Sequence, residues 1–161
     1  VYNRPVHSIQ VFESLKENGV NSFSVFFDYA DKAEVKVAQK KIDDYFAVNT
    51  NLEVNKYYFK SKKGLAKAVV ESVSITMKDF DAVIFLEDDC VVRPGGIQYF
   101  YDGLNNLKNN KSIRSICGYL YPVKNLIWGD NSELLKLKRF SIGKITLLVY
   151  TKVMYHKLQD F

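Results

Sequence analysis

Three consecutive acids, Glu87-Asp88-Asp89, stand directly behind the most apolar run of the chain, Ala82-Val83-Ile84-Phe85-Leu86. Neighbouring carboxylates repel one another, and a fold keeps them together when a cation or several hydrogen-bond donors offset that repulsion. At the exit of a buried strand they reach the place where open α/β sheets bind ligands, outside the carboxyl ends of the strands. With neither His nor Cys counted in the set, ligation is by oxygen only, which points to Mg²⁺ or Mn²⁺ rather than zinc. Such a cation would recruit a diphosphate. The same residues also suit a plainer role, as solvated acids that favour the dipole of the helix expected after Pro94.

Other chemistries are poorly supplied. His7 and His156 are the only histidines and lie near opposite ends of the sequence, so a histidine zinc site or a Cys-His hydrolase lacks partners. Cys90 and Cys117 match no zinc or redox spacing and make no disulfide framework, so a reducing compartment is expected. A strand ending in acids also serves P-loop ATPases, but no Gly-rich cradle with Lys-Ser or Lys-Thr occurs, and Lys62-Lys63-Gly64 lacks that spacing. The three-glycine dinucleotide fingerprint and the Gly-x-Ser-x-Gly nucleophile elbow are also missing from the sequence. Transfer from a metal-bound activated donor survives this pruning.

The elements that must position the acids follow from periodicity. Val6, Ile9, Val11, Phe12 and Leu15 recur at helical spacing after Pro5, with Asn18-Gly19 as a stop. Phe23 to Phe27 is an apolar run of strand length that ends at Asp28. Ala33, Val37, Ala38, Ile42 and Phe46 mark one face of a second helix, and Val54 to Phe59 a second strand, before the basic stretch Lys60-Ser61-Lys62-Lys63. Leu65, Ala66, Val69, Val70, Val73 and Met77 form a third helical stripe. Ala82 to Leu86 is a strand, Ile97 to Leu107 a helix, Ile113 to Cys117 a short strand and Tyr119 to Glu133 a loop. Leu134 to Phe140 then reads as a strand and Ile145 to Leu158 as a helix. Apolar strands alternating with amphipathic helices predict an α/β fold, a mostly parallel sheet flanked by helices on both sides.

The 161 residues, 47% hydrophobic and 25% charged, suit one domain with a single core. With 11 Tyr and 11 Phe against 3 Pro and 8 Gly, disordered and linker-rich classes are excluded, because large rings need a core or a ligand to cover them. No apolar run approaches the roughly 20 residues that span a bilayer, so a soluble segment is expected. The net charge of +5 mildly favours anionic partners. Lys56-Tyr57-Tyr58-Phe59-Lys60 could stack bases, but aromatic strand positions are more often core, and no nucleic-acid partner is expected.

Tyr2-Asn3-Arg4-Pro5-Val6-His7, Phe26-Phe27-Asp28 and Val83-Ile84-Phe85-Leu86-Glu87-Asp88-Asp89-Cys90-Val91-Val92, followed by Tyr99-Phe100-Tyr101, carry a resemblance. Over residues 2–120 the chain resembles a nucleotide-sugar glycosyltransferase of the GT-A, Rossmann-like fold. It is similar to bacterial family 2-like sugar transferases and the related eukaryotic N-acetylglucosaminyltransferases, which carry Glu-Asp-Asp as their version of Asp-x-Asp. The resemblance implies that Asp89 binds Mn²⁺ or Mg²⁺ directly, while Glu87 and Asp88 contact the donor's ribose, sugar or metal-bound water. It implies that Arg4 contacts the nucleotide, Asp28 reads the base, and Lys63 in the Lys62-Lys63-Gly64 turn meets phosphate. Each has a plainer alternative: Arg4 as a partner for a carboxylate, Asp28 as a helix cap, the lysines as a solvated loop.

The implied partners are a nucleotide-sugar donor, foremost a UDP-sugar, and a saccharide or lipid-linked acceptor. The implied place is the cytoplasm, at the inner face of a membrane by peripheral association, in surface polysaccharide synthesis. The family's catalytic base lies beyond a stretch rich in Gly and Trp; residues 140–147 keep a Gly and lack the tryptophans. Asp130, Glu133 and Asp160 remain as base candidates by elimination. Because Val1 stands where Met is usual and the sequence stops soon after residue 150, a single domain incomplete at both ends is expected. Residues 1–118 form its nucleotide-sugar-binding half and 119–161 the start of an acceptor half. A nucleotidyltransferase and a non-catalytic nucleotide-sugar-binding remnant are the alternatives.

Overall fold

A computed structural model of the chain describes residues 1–107, 109, 116–118 and, for their backbone, 148–151. The elements alternate as helix α1 (Pro5–Glu17), strand β1 (Ser22–Phe27), helix α2 (Ala33–Val48), strand β2 (Glu53–Tyr58), helix α3 (Leu65–Thr76), strand β3 (Ala82–Phe85), helix α4 (Gly96–Leu107) and strand β4 (Leu148–Thr151). The architecture is α/β, as the alternation of periods predicts.

Local chemistry sets the boundaries. Pro5 occupies the first position of α1, where its missing N–H and fixed φ cost nothing. Past Glu17 and its cap Asn18 the chain turns at Gly19, whose φ of +77° residues with a β-carbon rarely adopt. There the Gly19 N–H donates to Lys16 O and the Val20 N–H to Leu15 O, both at 2.9 Å, closing a Schellman motif. In α2 the buried Val35, Ala38, Ile42 and Phe46 recur at helical spacing and turn one face to the core.

β1 and β2 are parallel, Ser22 opposite Glu53 through Phe27 opposite Tyr58, with α2 as the crossover between them. In-register rings stack on both faces, Phe26 on Tyr57 at 4.6 Å and Phe27 on Tyr58 at 4.5 Å. On the other side of β1, the Val1 nitrogen donates to Phe26 O and the Asp28 N–H donates to Val1 O at 2.8 Å. That is the pattern of a parallel bridge, and it brings the residues before α1 alongside the exit of β1.

β3 pairs with β4 in the antiparallel sense, Ala82 opposite Thr151 through Phe85 opposite Leu148. The helix expected over residues 145–158 is therefore corrected: its described part, Leu148–Thr151, is strand. Leu-Val-Tyr-Thr is rich in β-branched and aromatic residues that pack well on a pleated surface, and pairing with β3 decides between the two periods. The described residues thus form two separate two-stranded sheets, β1–β2 parallel and β3–β4 antiparallel, rather than the single mostly parallel sheet expected. The strand over residues 134–140 and the loop 119–133 lie outside the described residues. So does the strand over residues 113–117, except for Ile116 and Cys117.

The core has three patches. Phe12, Val25, Phe27, Ile42 and Phe46 fill the space between α1, β1 and α2, with the rings of Phe12 and Phe46 4.9 Å apart. Leu15, Cys90, Val92, Ile97 and Phe100 form a second patch beneath the segment that follows the acids. Phe23 packs against both patches and joins them. Val73 of α3 and Met77, which follows the helix, pack on Val83 and Phe85 of β3 in a third.

Candidate functional site

The residues before α1 meet the exit of β3 through one side chain. Arg4 is the residue in front of Pro5, and its carbonyl accepts from the Ser8 N–H at 3.0 Å and the Ser8 hydroxyl at 2.9 Å. Its backbone is thereby fixed while its side chain extends toward the acids. Arg4 Nη2 donates to Asp88 Oδ1 at 2.7 Å and Nη1 to Asp89 Oδ2 at 2.8 Å. One guanidinium fork thus bridges two adjacent carboxylates, and this is the cation that offsets their mutual repulsion. Asp88 foremost, then Asp89, raises the Arg4 pKa above its already high ordinary value.

The two aspartates are held differently. Asp88 takes a second donor on its other oxygen, the Tyr2 N–H at 3.4 Å, and its side chain is only 13% exposed. Asp89 is 39% exposed. Its other oxygen accepts from the Cys90 thiol at 3.8 Å.

Glu87, Asp89 and Cys90 each offer one ligand atom, and these atoms lie within 4.8 Å of one another. The expectation of an oxygen-only set is corrected here, because the next residue in the chain places a buried sulfur beside the carboxylates. Two solvent-facing carboxylates fit Mg²⁺ or Mn²⁺, which take one or two protein carboxylates and complete their shells with water and phosphate. The sulfur extends the range toward softer ions such as zinc.

The segment carrying these groups is anchored from behind. The Val92 N–H donates to Ser14 Oγ at 3.0 Å, and that hydroxyl donates to Val11 O at 2.7 Å, both buried. Asn18 Nδ2 adds contacts to Ser14 O at 2.8 Å and Val92 O at 3.4 Å. Helix α1 therefore holds the acidic segment at two points, Arg4 in front and Ser14 behind.

A second group joins the exits of β1 and β2 to Tyr2. The Tyr2 hydroxyl donates to Asp31 Oδ1 at 2.9 Å, and Lys62 Nζ reaches Asp31 Oδ2 at 3.2 Å. The hydrogen bond from Tyr2 and then the one from Lys62 hold the Asp31 carboxyl below its ordinary pKa. The same contacts raise Lys62 and Tyr2.

Asp28 sits at the end of β1, as expected. It caps no helix, because α2 starts behind Lys32; its carboxylate accepts from the Tyr29 N–H at 2.8 Å and its carbonyl from Gln39 Nε2 at 2.8 Å. Lys63 is committed to Glu71 of α3 at 2.6 Å and lies over the Phe59 ring at 5.4 Å. Among the two lysines of that turn, Lys62 is the one tied to the strand-end group. Asp130, Glu133 and Asp160 lie outside the described residues.

Sequence reasoning missed Cys90, Asp31 and Ser14. Cys90 was visible as the neighbour of Asp89. Asp31 and Ser14 carry no local signal, since each matters through a partner at least 29 residues away in the chain. Compared with models of known protein families and with curated proteins, the chain matches none.

Proposed function

We propose that this chain is the nucleotide-sugar-binding part of a metal-dependent glycosyltransferase of the GT-A kind, moving a sugar from a nucleoside-diphosphate donor to an acceptor hydroxyl. The observation that carries the reading is the Arg4 fork across Asp88 and Asp89, with Glu87 beside them, at the exit of β3. A basic fork and a carboxylate set side by side suit a ligand that bears both phosphate and a divalent cation. Glu87 and Asp89, with Cys90 beside them, would hold the cation, which when bound neutralises charge on the departing diphosphate.

The chain's own residues divide the remaining work. Arg4 is half exposed and presents donors of fixed geometry to a phosphate oxygen. Asp88, the more enclosed acid, keeps the segment in place and faces the donor's ribose. Asp28 and the Tyr2–Asp31–Lys62 group border the place of the base, with Lys62 taking the phosphate-side role first given to Lys63. The acceptor-side base falls to Asp130, Glu133 or Asp160. The donor is foremost a UDP-sugar, and the acceptor a saccharide or lipid-linked saccharide at the inner face of a membrane, as in surface polysaccharide synthesis.

One observation favours a binding remnant as the second reading: the Arg4 fork pairs with both aspartates, as a purely structural bridge also would. A panel of nucleotide sugars separates the two. Release of nucleoside diphosphate from at least one sugar, dependent on Mn²⁺ or Mg²⁺, is the expected result. Binding with no release across the panel, with and without saccharide acceptors, supports the remnant. Metal-independent binding of single-stranded nucleic acid instead contradicts both.

A further inference from the structure

We infer that Arg4 is a displaceable counter-cation: it holds Asp89 until a metal-bound nucleoside diphosphate arrives, and then passes from the carboxylate to the diphosphate. The inference rests on the glycosyltransferase reading of this site and concerns how the site is regulated.

Asp89 belongs to two sets at once. Its Oδ2 takes Arg4 Nη1 at 2.8 Å, and the same residue belongs to the Glu87–Asp89–Cys90 group whose ligand atoms lie within 4.8 Å. A carboxylate engaged by a guanidinium has less charge to offer a second cation, and the two cations repel when close. A divalent ion at Asp89 therefore competes with Arg4.

The competition is uneven along the fork. The Asp88 arm is enclosed and reinforced by the Tyr2 N–H, whereas the Asp89 arm is the more exposed of the two. Release at Asp89 thus exposes Nη1 while Nη2 stays tethered at Asp88. A metal-bound diphosphate would offer the freed donor a charged oxygen, so the ligand would restore the contact that the metal removes. Metal and nucleotide then favour one another's binding through Arg4, and by linkage the effect is reciprocal.

The test is a Mn²⁺ titration of the full chain without nucleotide, following unbound Mn²⁺ by its electron paramagnetic resonance signal, for wild type and Arg4→Gln. The neutral variant is expected to bind Mn²⁺ alone about tenfold tighter, the size of one removed charge contact. UDP is expected to raise Mn²⁺ affinity strongly in wild type and much less in Arg4→Gln. Arg4→Lys, which keeps the charge but loses the fork, is expected to fall between them and serves if Arg4→Gln does not fold.

Mn²⁺ affinity in Arg4→Gln equal to or below that of wild type, including no binding by either, overturns the inference. So does an undiminished UDP effect. Unchanged Mn²⁺ affinity with metal-dependent UDP binding intact removes only the counter-cation role. Tighter Mn²⁺ in the variant with no UDP binding by either protein keeps Arg4 as the metal's competitor at Asp89 but overturns its transfer to a diphosphate, together with the glycosyltransferase reading.

Discussion

Asp89 and Tyr58 show how single side chains divide between ligand work and structure. Asp89 is exposed and shared between Arg4 and the Glu87–Cys90 group, so its loss should disturb binding more than folding. Tyr58 donates to both oxygens of Asp43, which also pairs with Lys56, and its phenol is pushed up to about 12 from 10.0, by partial burial first and then by that hydrogen bond. A group whose folded pKa lies above the unfolded value contributes stability that is full below the unfolded pKa and is lost as pH rises through the folded one. The window here is pH 10.0 to about 12. In Tyr58→Phe, denaturant unfolding should show a shallower fall in stability across that window than in wild type. Because the side chain is half exposed, the difference at neutral pH should stay below about 1 kcal/mol. An identical alkaline slope contradicts the assignment. At this scale the sequence exposed the acids, since three carboxylates behind an apolar run are a local pattern. It offered Arg4 as a carboxylate's partner but not which carboxylate, because Arg4 and Asp88 are 84 residues apart and only the fold joins them.

Helix α1 works as a bracket for the acidic segment, and Ser14 is its rear fastening. Removing the Ser14 hydroxyl leaves the buried Val92 N–H without its acceptor, at a cost of about 1–3 kcal/mol. Ser14→Ala should lower the unfolding free energy by that amount, read as a lower urea midpoint with an unchanged m-value, and should also weaken nucleotide binding because the segment is no longer held against α1. Loss of stability with full retention of binding would show that Arg4 positions the acids by itself. The elements themselves were legible wherever a period and a punctuation mark coincided. Val11, Phe12 and Leu15 of the expected stripe and the Asn18-Gly19 stop fix α1, although Val6 is exposed; in α2 the expected Ala38, Ile42 and Phe46 are buried, but Ala33 and Val37 are exposed and Val35 is buried in their place. β4 was not legible, because a short apolar run suits either period and its partner β3 lies more than 60 residues earlier in the sequence. β2 was legible as a strand but not as an exposed one; Lys56 and Tyr58 reach across to Asp43 of α2 rather than into a core.

The whole molecule gathers four chain segments at one place: residues 1–4, the exit of β1, the turn after β2 and the exit of β3. The N-terminal segment bridges to β1 through Val1, to the β1 and β2 exits through Tyr2 and to β3 through Arg4. Among the described residues no helix is long and apolar enough to cross a membrane. In the proposed reading the net charge of +5 favours a nearby anionic membrane face. The central claim is that this convergence binds a nucleoside diphosphate together with a divalent cation. Calorimetric titration of UDP into the full chain, with Mn²⁺ and then with chelator, tests it most directly, with Asp89→Ala as the matched variant. The account predicts binding with Mn²⁺, weakened at least about tenfold by chelator or by Asp89→Ala, a loss of about 1.4 kcal/mol or more. UDP affinity that is the same with Mn²⁺, with chelator and in Asp89→Ala would contradict it.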